Sequence, residues 1–308
     1  MKNKYDKKHL PFGNAFAIAD PLVTQFLSNL DIDVTKVTQD QDVLKKFLDR
    51  YIAWISETKN NNVTGLEKYP YACFANGTTE AFEKFYAKHH KRRFRFYKGE
   101  YVYHRLNCRN NGYDWEWLDD APLAGNDVLM ISLPFSDTGN TPSNLDSILD
   151  QCDKLKIPVL LDCAYLGVCS GIDFNLDRKC ITDVTFSLSK TLYCAHARIG
   201  MRLTKEDDDD PLFVTNKAGY INRVSAYIGL KLLDNFSPDY IYNKYRERQE
   251  RCCEILDVEP SNCILFGIGD HRWDEYNRDR ETNRLSLHRY ISNDNLEDEI
   301  KAIADEKR

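Results

Sequence analysis

A strand-helix-strand pattern in the middle of the chain limits the possible folds more than any other feature. Residues 127–134 (DVLMISLP) and 157–162 (IPVLLD) are short, mostly apolar runs, and residues 144–155 between them have apolar side chains at helical spacing. Strands without alternating polar residues are typical of parallel sheets that are covered on both faces. The pattern therefore predicts an α/β fold in which a helix connects two neighbouring strands.

Other apolar patterns extend the predicted sheet on both sides. They predict strands at 71–75, 183–188 and 199–203, an amphipathic helix at 41–56 and a helical region at roughly 214–256. A smaller α+β unit follows at the C-terminal end. We expect three parts, namely an N-terminal segment (1–40) that packs with the small domain, a large domain (41–235) and a small C-terminal domain (236–308).

Charge and cysteine content exclude several classes of protein. The net charge is -6, and charges of both signs are spread along the chain without the basic block that nucleic-acid binding requires. The acidic run at 206–210 ends at Pro211 and is typical of an exposed loop. The ten cysteines are scattered and form no C-x-x-C pair, so we expect free thiols and no metal site.

Membrane and export signals are also missing from the sequence. No run of 18 apolar residues occurs, and the N-terminal residues lack the apolar stretch of a signal peptide. We therefore expect a cytoplasmic protein with no membrane partner.

The first candidate site follows the predicted strand at 71–75. Asn76, Gly77 and Thr78 form a turn that opens a helix. Free backbone N–H groups, hydroxyl groups and the positive end of the helix dipole favour an anion at such a turn. An ordinary helix cap is the alternative interpretation, because Asn and Thr are common N-cap residues.

The second candidate site is Asp162, which ends the strand at 157–162. This is the sheet edge where open α/β proteins usually bind ligands. A carboxylate there either stabilises a cation, such as a protonated pyridine nitrogen, or caps the following turn. The sequence leaves both interpretations open.

The third candidate site is Lys190, which follows the strand at 183–188 and precedes Arg198 by eight residues. Burial and a neighbouring cation lower the pKa of a lysine and make its amine nucleophilic toward an aldehyde. Ser187, Ser189 and Arg198 offer groups that bind a phosphate dianion. An exposed lysine is the ordinary alternative.

Taken in this order, the three sites resemble the cofactor-binding residues of the class I/II aminotransferase family, whose members use pyridoxal 5'-phosphate (PLP) and have fold type I. The resemblance implies a large domain with a mixed, mostly parallel sheet, a small α+β C-terminal domain, and PLP bound to Lys190 as a Schiff base. It also implies that Asp162 contacts the pyridine nitrogen and that Tyr165 contacts the 3'-oxygen. The implied phosphate-binding residues and their neighbours are Asn76, Gly77, Thr78, Ser187, Ser189 and Arg198.

Two weaker motif matches concern the cofactor ring. Tyr101, in the segment 99–103, stands where the family has an aromatic residue stacked on the pyridine ring, with a buried structural aromatic as the alternative. Residues 133–139 (LPFSDTG) are similar to the N-P-x-N-P-T-G segment of the family. Ser136 stands in place of the asparagine that bonds the 3'-oxygen, and Asn140 is a candidate substitute for that amide.

Residues 283–287 (NRLSL) are similar to the strand whose arginine binds the substrate's α-carboxylate. The match favours Arg284, with Arg280 and Arg289 as nearby alternatives, because a guanidinium group binds a carboxylate through two parallel hydrogen bonds. An exposed strand arginine is the ordinary interpretation.

The resemblance implies an aminotransferase that acts on a small-molecule substrate, an amino acid, and that forms a homodimer. The same residues support other reactions of an amino acid, so a PLP-dependent lyase, decarboxylase or cyclase is the alternative. A non-catalytic member of the fold has no need of Lys190, Asp162 and Arg198 together. A Rossmann dehydrogenase is set aside because no G-x-G-x-x-G follows a predicted strand.

Overall fold

A seven-stranded sheet forms the centre of the protein. The structure, a computed structural model, describes residues 10–207, 210–278, 282–293 and 296–307. The α-helices in these residues are α1 (Pro21–Ser28), α2 (Val34–Gln39), α3 (Val43–Ser56), α4 (Thr78–His89), α5 (Val102–Asn111), α6 (Leu145–Leu155), α7 (Pro211–Lys217), α8 (Arg223–Asn235), α9 (Tyr240–Leu256), α10 (His288–Ile291) and α11 (Glu297–Lys307). The strands are β1 (Asn62–Thr64), β2 (Tyr71–Asn76), β3 (Arg93–Phe96), β4 (Trp115–Trp117), β5 (Asp127–Ser132), β6 (Val159–Asp162), β7 (Asp173–Asn175), β8 (Ile181–Ser187), β9 (Ile199–Thr204), β10 (Glu259–Pro260), β11 (Phe266–Gly269) and β12 (Asn283–Ser286).

The strand order in the central sheet is β2-β9-β8-β6-β5-β3-β4. β9 runs antiparallel to both of its neighbours, and the other neighbouring pairs are parallel. The sheet is therefore mixed and mostly parallel, as predicted. The register pairs Asp162 with Ser132 on β5 and with Thr185 on β8, which places three polar residues side by side near one edge of the sheet.

Burial on both faces explains why the central segments form strands without alternating polar residues. Every residue of β5 and β6 is buried. Leu129 and Ile131 of β5 belong to one apolar core, and Val128 and Met130 belong to a second core on the other face. α3 contributes its apolar side to the first core and α4 to the second, so the sheet lies between two layers of helix.

The predicted helical region at 214–256 is interrupted twice and contains three helices. α7 ends before Gly219, whose φ of +74° lies in the left-handed region that suits glycine. α8 ends at Asn235, and the chain is extended at Phe236, shortly before Pro238. Proline cannot continue a helix interior, and it disfavours helical backbone in the residue before it. The apolar spacing therefore predicted the helices but not these breaks.

The described part of the N-terminal segment contacts the C-terminal part of the chain. The backbone oxygen of Phe12 accepts a hydrogen bond from Ser286 N at 2.9 Å, and the Phe12 ring contacts those of Trp273, Tyr276 and Tyr290. An antiparallel sheet of β10, β11 and β12 also lies in this C-terminal part. Residues 1–9 lie outside the described residues, and the division of the chain into three parts stays a prediction.

All ten cysteines are buried free thiols. Among the described residues, no helix is both long and apolar enough to cross a membrane. In the same part of the chain, no group of three or more His, Cys, Asp and Glu side chains is placed to hold a metal ion. Asp208 and Asp209 of the acidic run lie outside the described residues.

Candidate active site

A cavity of about 290 Å³ lies at the carboxyl ends of the central strands. Its walls come from the N-terminal segment, the start of α5, the loops that follow β5, β6 and β8, and residues around β12. Parallel strands end at the same edge of a sheet, so residues far apart in sequence meet there. Five of the predicted site residues line this cavity, namely Tyr101, Ser136, Tyr165, Lys190 and Arg284.

Lys190 is partly buried and reaches into the cavity. Its Nζ donates a hydrogen bond to the backbone oxygen of Ala15 at 2.6 Å and lies 5.9 Å from the ring centres of Phe16 and Tyr165. No described carboxylate lies within ion-pair distance of Nζ. Burial, helped by the positive charge of Arg284, lowers the pKa of Lys190 to about 8. The amine is therefore more often neutral and nucleophilic than that of an exposed lysine.

Asp162 is buried at the end of β6. Its Oδ1 accepts hydrogen bonds from Ala164 N at 3.1 Å and from Thr185 Oγ1 at 3.4 Å. The bond to Ala164 shows that Asp162 does cap the following turn. No described cation pairs with the carboxylate, however, and burial together with the negative charge of Glu100 raises the pKa of Asp162 to about 7. A carboxylate in this state is suited to a cationic ligand.

Gly77 and Arg198 form a close contact at the start of α4. Gly77 has a φ of +75° and leaves the helix without a side-chain cap. A Cβ atom on Gly77 would lie only 2.3 Å from Arg198 Nη2, so a side chain at this position would displace the guanidinium group. Arg198 Nη2 donates to Thr79 Oγ1 at 3.0 Å, and Nη1 donates to the backbone oxygen of Ala195 at 3.3 Å. The guanidinium group thus lies against the first turn of α4.

Hydroxyl groups from β8 lie near the same turn. Ser187 ends β8, and its Oγ is 2.8 Å from Ser189 Oγ. Thr78 is the first residue of α4 and is buried. A Cβ on Gly200 of β9 would lie 2.9 Å from Gly77 Cα, which shows how closely the sheet approaches the turn. An uncapped helix start, hydroxyl groups and a guanidinium group together suit a phosphate dianion.

Asn76 is placed differently from these groups. It is exposed, and both its backbone N and its side-chain Nδ2 donate to Glu80 Oε2, at 2.7 and 2.9 Å. The amide therefore binds the first turn of α4 from outside. Its predicted role beside the phosphate stays a prediction.

Two tyrosines lie on the cavity walls. Tyr165 packs edge-on against Phe266, with ring centres 5.4 Å apart, and burial raises the pKa of its hydroxyl to about 12. Tyr101 directly precedes α5 and stacks on Tyr103 at 5.8 Å. Tyr101 is 39% exposed, and partial desolvation together with the negative charge of Asp162 raises the pKa of its hydroxyl.

Arg284 is buried and fixed on two sides. Its Nη1 donates to the backbone oxygen of Ser136 at 2.6 Å, and its guanidinium carbon lies 4.5 Å from the ring centre of Phe266. Its Nε has no hydrogen-bond partner, and burial, together with the charge of Arg278, lowers the pKa of Arg284 to about 10. A buried guanidinium group with an unused donor is prepared for a carboxylate.

The alternatives to Arg284 and Ser136 lie elsewhere. Arg289 is largely exposed and pairs with Glu299 at 3.6 Å, and Arg280 lies outside the described residues. Asn140 Oδ1 accepts a hydrogen bond from Asn262 N at 3.1 Å. Asn140 is not among the residues that line the cavity, and its role as a substitute for the missing asparagine stays a prediction.

Among the cavity residues that the sequence analysis did not predict, Glu100 and Arg278 form hydrogen bonds with predicted site residues. Glu100 is buried and its carboxylate accepts hydrogen bonds from Ser132 N at 2.8 Å, from Ser132 Oγ and from Tyr101 N at 2.8 Å. Arg278 donates from Nη1 to Ser136 O at 3.1 Å. Glu100 could have been found from the sequence, because it is a charged residue directly before the predicted ring-stacking Tyr101. Arg278 lies in a segment with many charges and no pattern, which gave no signal.

A family model and a search of curated sequences give different results. The model described as "Aminotransferase class I and II" matches residues 9–251, which contain every predicted site residue except Arg284. No curated protein sequence matches the chain.

Solved structures share the fold along nearly the whole chain. An aminotransferase from Neisseria meningitidis Z2491 is 12% identical with a TM-score of 0.70, over 97% of this chain and 92% of that chain. The histidinol-phosphate aminotransferase from Clostridium acetobutylicum is 13% identical with a TM-score of 0.68, over 96% and 99%. A PLP-bound C-S lyase from Staphylococcus hominis is 10% identical with a TM-score of 0.66, over 95% and 88%.

Proposed function

Because this chain belongs to the aminotransferase class I and II family, we propose that it is a PLP-dependent aminotransferase that carries its cofactor on Lys190 and acts on an amino acid. The observation that carries this proposal is Lys190 itself, a partly buried amine without an ion-pair partner among the described residues. It lies in a cavity that also contains the buried Arg284. We further propose a cytoplasmic homodimer, as the family resemblance implies.

Two independent observations support a fit between these residues and PLP. Asp162 is a buried carboxylate without a paired cation in the described residues, and a protonated pyridine nitrogen would supply that cation. Gly77 permits the close approach of Arg198 to the uncapped start of α4, where a phosphate group would find backbone N–H donors. Thr78, Ser187 and Ser189 would add hydroxyl donors.

Bound PLP would supply an electron sink for a bond at the Cα atom of an amino acid. Lys190 contributes the nucleophile and the base. Its lowered pKa leaves Nζ neutral in about a tenth of molecules at pH 7, far more than for an exposed lysine, so Nζ can attack a carbonyl carbon and can accept a proton from Cα. The backbone oxygen of Ala15 holds Nζ against the cavity wall.

Asp162 and Tyr165 have complementary tasks. Asp162, oriented by Ala164 N and Thr185 Oγ1, holds a negative charge opposite a cationic ring nitrogen. Tyr165 keeps its hydroxyl proton, because its pKa is raised to about 12, and can therefore donate a hydrogen bond to a ring oxygen.

Arg284 orients the substrate. One of its Nη atoms is held by Ser136 O and its Nε is unpartnered, so the guanidinium group keeps N–H donors for a carboxylate. Burial strengthens this charge-assisted contact, because water does not compete for the guanidinium group. An amino acid held in this way is fixed with respect to Lys190 before reaction.

The cofactor and its lysine can be tested together by absorbance spectroscopy. The purified protein with added PLP is expected to show a visible absorbance band that borohydride fixes covalently, and mass spectrometry should locate the added mass on Lys190. Lys190→Ala should lose the band, because no other described lysine lines the cavity. Lys154→Ala, which removes an exposed lysine on α6, is the matched control and should keep it.

A parent protein without the band, or a band that persists in Lys190→Ala, would contradict the proposal and favour a non-catalytic protein. Product analysis then separates the reactions. Transamination releases a keto acid without ammonia, elimination releases a keto acid together with ammonia, and decarboxylation releases carbon dioxide.

A further inference from the structure

Glu100 is a buried carboxylate to which the proposed function gives no task. It is only 6% exposed, and it forms no ion pair within the described residues. Its Oε2 accepts a hydrogen bond from Ser132 N at 2.8 Å, and its Oε1 accepts one from Tyr101 N at 2.8 Å and another from Ser132 Oγ. Hydrogen bonds to a carboxylate favour its ionised form, so these three donors oppose the upward pKa shift that burial causes.

The strand register brings Glu100 next to Asp162. Ser132 and Asp162 are paired on the parallel strands β5 and β6, and paired residues of neighbouring strands project from the same face about 4.8 Å apart. Thr185, the partner of Asp162 on β8, confirms this face because its Oγ1 donates to Asp162 Oδ1 at 3.4 Å. The Ser132 hydroxyl bonds Glu100 on that face. The two carboxyl groups are therefore neighbours at the edge of the sheet.

The neighbours of Asp162 leave its charge without a counter-ion. No cation in the described part of the chain forms an ion pair with it. The charge of Lys190 lowers the pKa of Asp162, but burial and the charge of Glu100 outweigh that effect and raise this pKa to about 7. The charge of Asp162 in turn raises the pKa of Tyr101 and of Cys163, so both of these groups keep their protons.

The neighbours of Glu100 favour its ionised form. The charge of Arg278 lowers the pKa of Glu100, although the printed ion pair of Arg278 is with Asp137, at 4.0 Å. Tyr86, which the charge of Glu100 affects, lies 2.6 Å from His104 Nδ1, and burial lowers the pKa of His104 to about 3, so this imidazole is neutral. Of two neighbouring carboxyl groups that do not readily ionise together, Asp162 is thus the one that binds a proton.

We infer that Glu100 is a positioning residue of the cofactor site, whose negative charge keeps one proton bound beside it, on Asp162 in the cofactor-free protein and on the pyridine nitrogen of bound PLP. The inference rests on the proposed function and adds a residue to it. A ring nitrogen that enters without a proton takes the one on Asp162, so that an O–H bond breaks, an N–H bond forms and the total charge is unchanged. Glu100 acts through Asp162 and needs no contact with the ring.

The protonation of Asp162 can be followed directly in the cofactor-free protein. Carbon NMR with aspartate labelled at the carboxyl carbon gives a titration curve for each aspartate, and the signal that is missing in Asp162→Asn identifies Asp162. Its midpoint is expected near pH 7 in the parent and about 1 pH unit or more lower in Glu100→Gln, which removes a charge at nearly constant shape.

Two further variants separate charge from packing. Glu83→Gln is the matched control, because Glu83 is a partly buried carboxylate that binds Asn107 of α5 at 2.7 Å but does not line the cavity. It should keep the Asp162 midpoint of the parent. Ser132→Ala keeps both charges and removes one donor from Glu100, so it should lower the Asp162 midpoint by a smaller amount. This variant also keeps the inference testable should Glu100→Gln not fold.

The PLP-loaded protein gives a second readout that needs no reaction. Nitrogen NMR of PLP labelled at the ring nitrogen distinguishes the protonated from the neutral ring. In Glu100→Gln, the ring nitrogen should lose its proton about 1 pH unit below the parent value. Glu83→Gln should match the parent.

The outcomes separate the two proposals. An equal Asp162 midpoint in the parent and in Glu100→Gln, or a parent midpoint near the ordinary value of about 3.9, overturns this inference and leaves the Lys190-dependent band as support for the proposed function. Equal protonation of the ring nitrogen at every pH also overturns it. No band in the parent, with a midpoint that Glu100→Gln still lowers, overturns the proposed function but not the coupling of the two carboxyl groups.

Discussion

Burial raises the pKa of the Asp162 carboxyl group to about 7, and the charge of Glu100 adds to this effect. An aspartate in an unfolded chain has a pKa of about 3.9, so the folded protein binds this proton more tightly than the unfolded chain does. The resulting stabilisation is complete below a pH of about 4 and is lost as the pH rises through about 7. Ionisation of Asp162 therefore lowers the free energy of unfolding of the protein when the cofactor is absent.

Asp162→Asn is expected to remove this loss of unfolding free energy at high pH, because asparagine does not ionise. Between about pH 5 and pH 8, the cofactor-free parent should lose about 2 to 3 kcal/mol of unfolding free energy through this carboxyl group, and the variant should not lose it. Urea denaturation at both pH values measures the difference. Asp31→Asn, at an exposed aspartate, should keep the pH dependence of the parent. An identical pH dependence in Asp162→Asn would show that the carboxyl group is not perturbed.

Single site residues could be predicted where a reactive side chain directly follows an apolar strand pattern in the sequence. Asp162 and Lys190 each follow an apolar run, so the strand pattern alone places them at the ligand-binding edge. Arg278 follows no such run. Its position depends on where the chain folds back after β11, and only the three-dimensional structure shows that it shares an acceptor with Arg284.

Gly77 has no side chain, so Arg198, which directly precedes β9, can lie against the first turn of α4. The start of this helix therefore depends on a contact between two elements of the fold. Gly77→Ala is expected to displace Arg198 and to weaken PLP binding about 10-fold or more, by loss of a charge-assisted contact to the phosphate. It should also destabilise the protein by more than about 1 kcal/mol, because alanine is strained at this φ. Fluorescence titration with PLP and thermal unfolding measure the two effects.

Gly112→Ala separates the backbone effect from the contact. Gly112 ends α5 with a φ of +68°, and a Cβ atom added there would meet no other atom within 4 Å. This control should share the loss of stability and keep the PLP affinity of the parent. Equal PLP affinity in Gly77→Ala and Gly112→Ala would mean that the turn does not bind the phosphate.

Among the elements, the buried strands were predicted best and the helix breaks worst. β5 and β6 are apolar except at their ends, where Asp127, Ser132 and Asp162 stand, and short apolar runs of this length between turn residues favour buried strands. The breaks near Gly219 and Pro238 depend on how α7, α8 and α9 pack against the rest of the protein. The spacing of apolar residues along one segment carries no information about that packing.

At the scale of the whole molecule, Phe12 connects the N-terminal segment with the C-terminal part of the chain. Its ring is fully buried among Trp273, Tyr276 and Tyr290. Phe12→Ala is expected to lower the free energy of unfolding by about 3 to 5 kcal/mol, because it leaves a cavity between the N-terminal segment and the C-terminal part. Urea denaturation measures the change.

Leu22→Ala is the control for Phe12→Ala, since Leu22 is 55% exposed on the neighbouring α1. It should change the unfolding free energy by no more than about 0.5 kcal/mol. A loss in Phe12→Ala as small as that of the control would show that the N-terminal segment is not part of the cooperative core.

The shared acceptor of the two arginines is a main-chain atom, the carbonyl oxygen of Ser136. Every amino acid supplies that oxygen, so mutation at position 136 can alter the side chain that faces the cavity without removing the anchor of either arginine. Evolution can therefore change what this position offers to the cofactor or the substrate while the arginine pair is inherited intact.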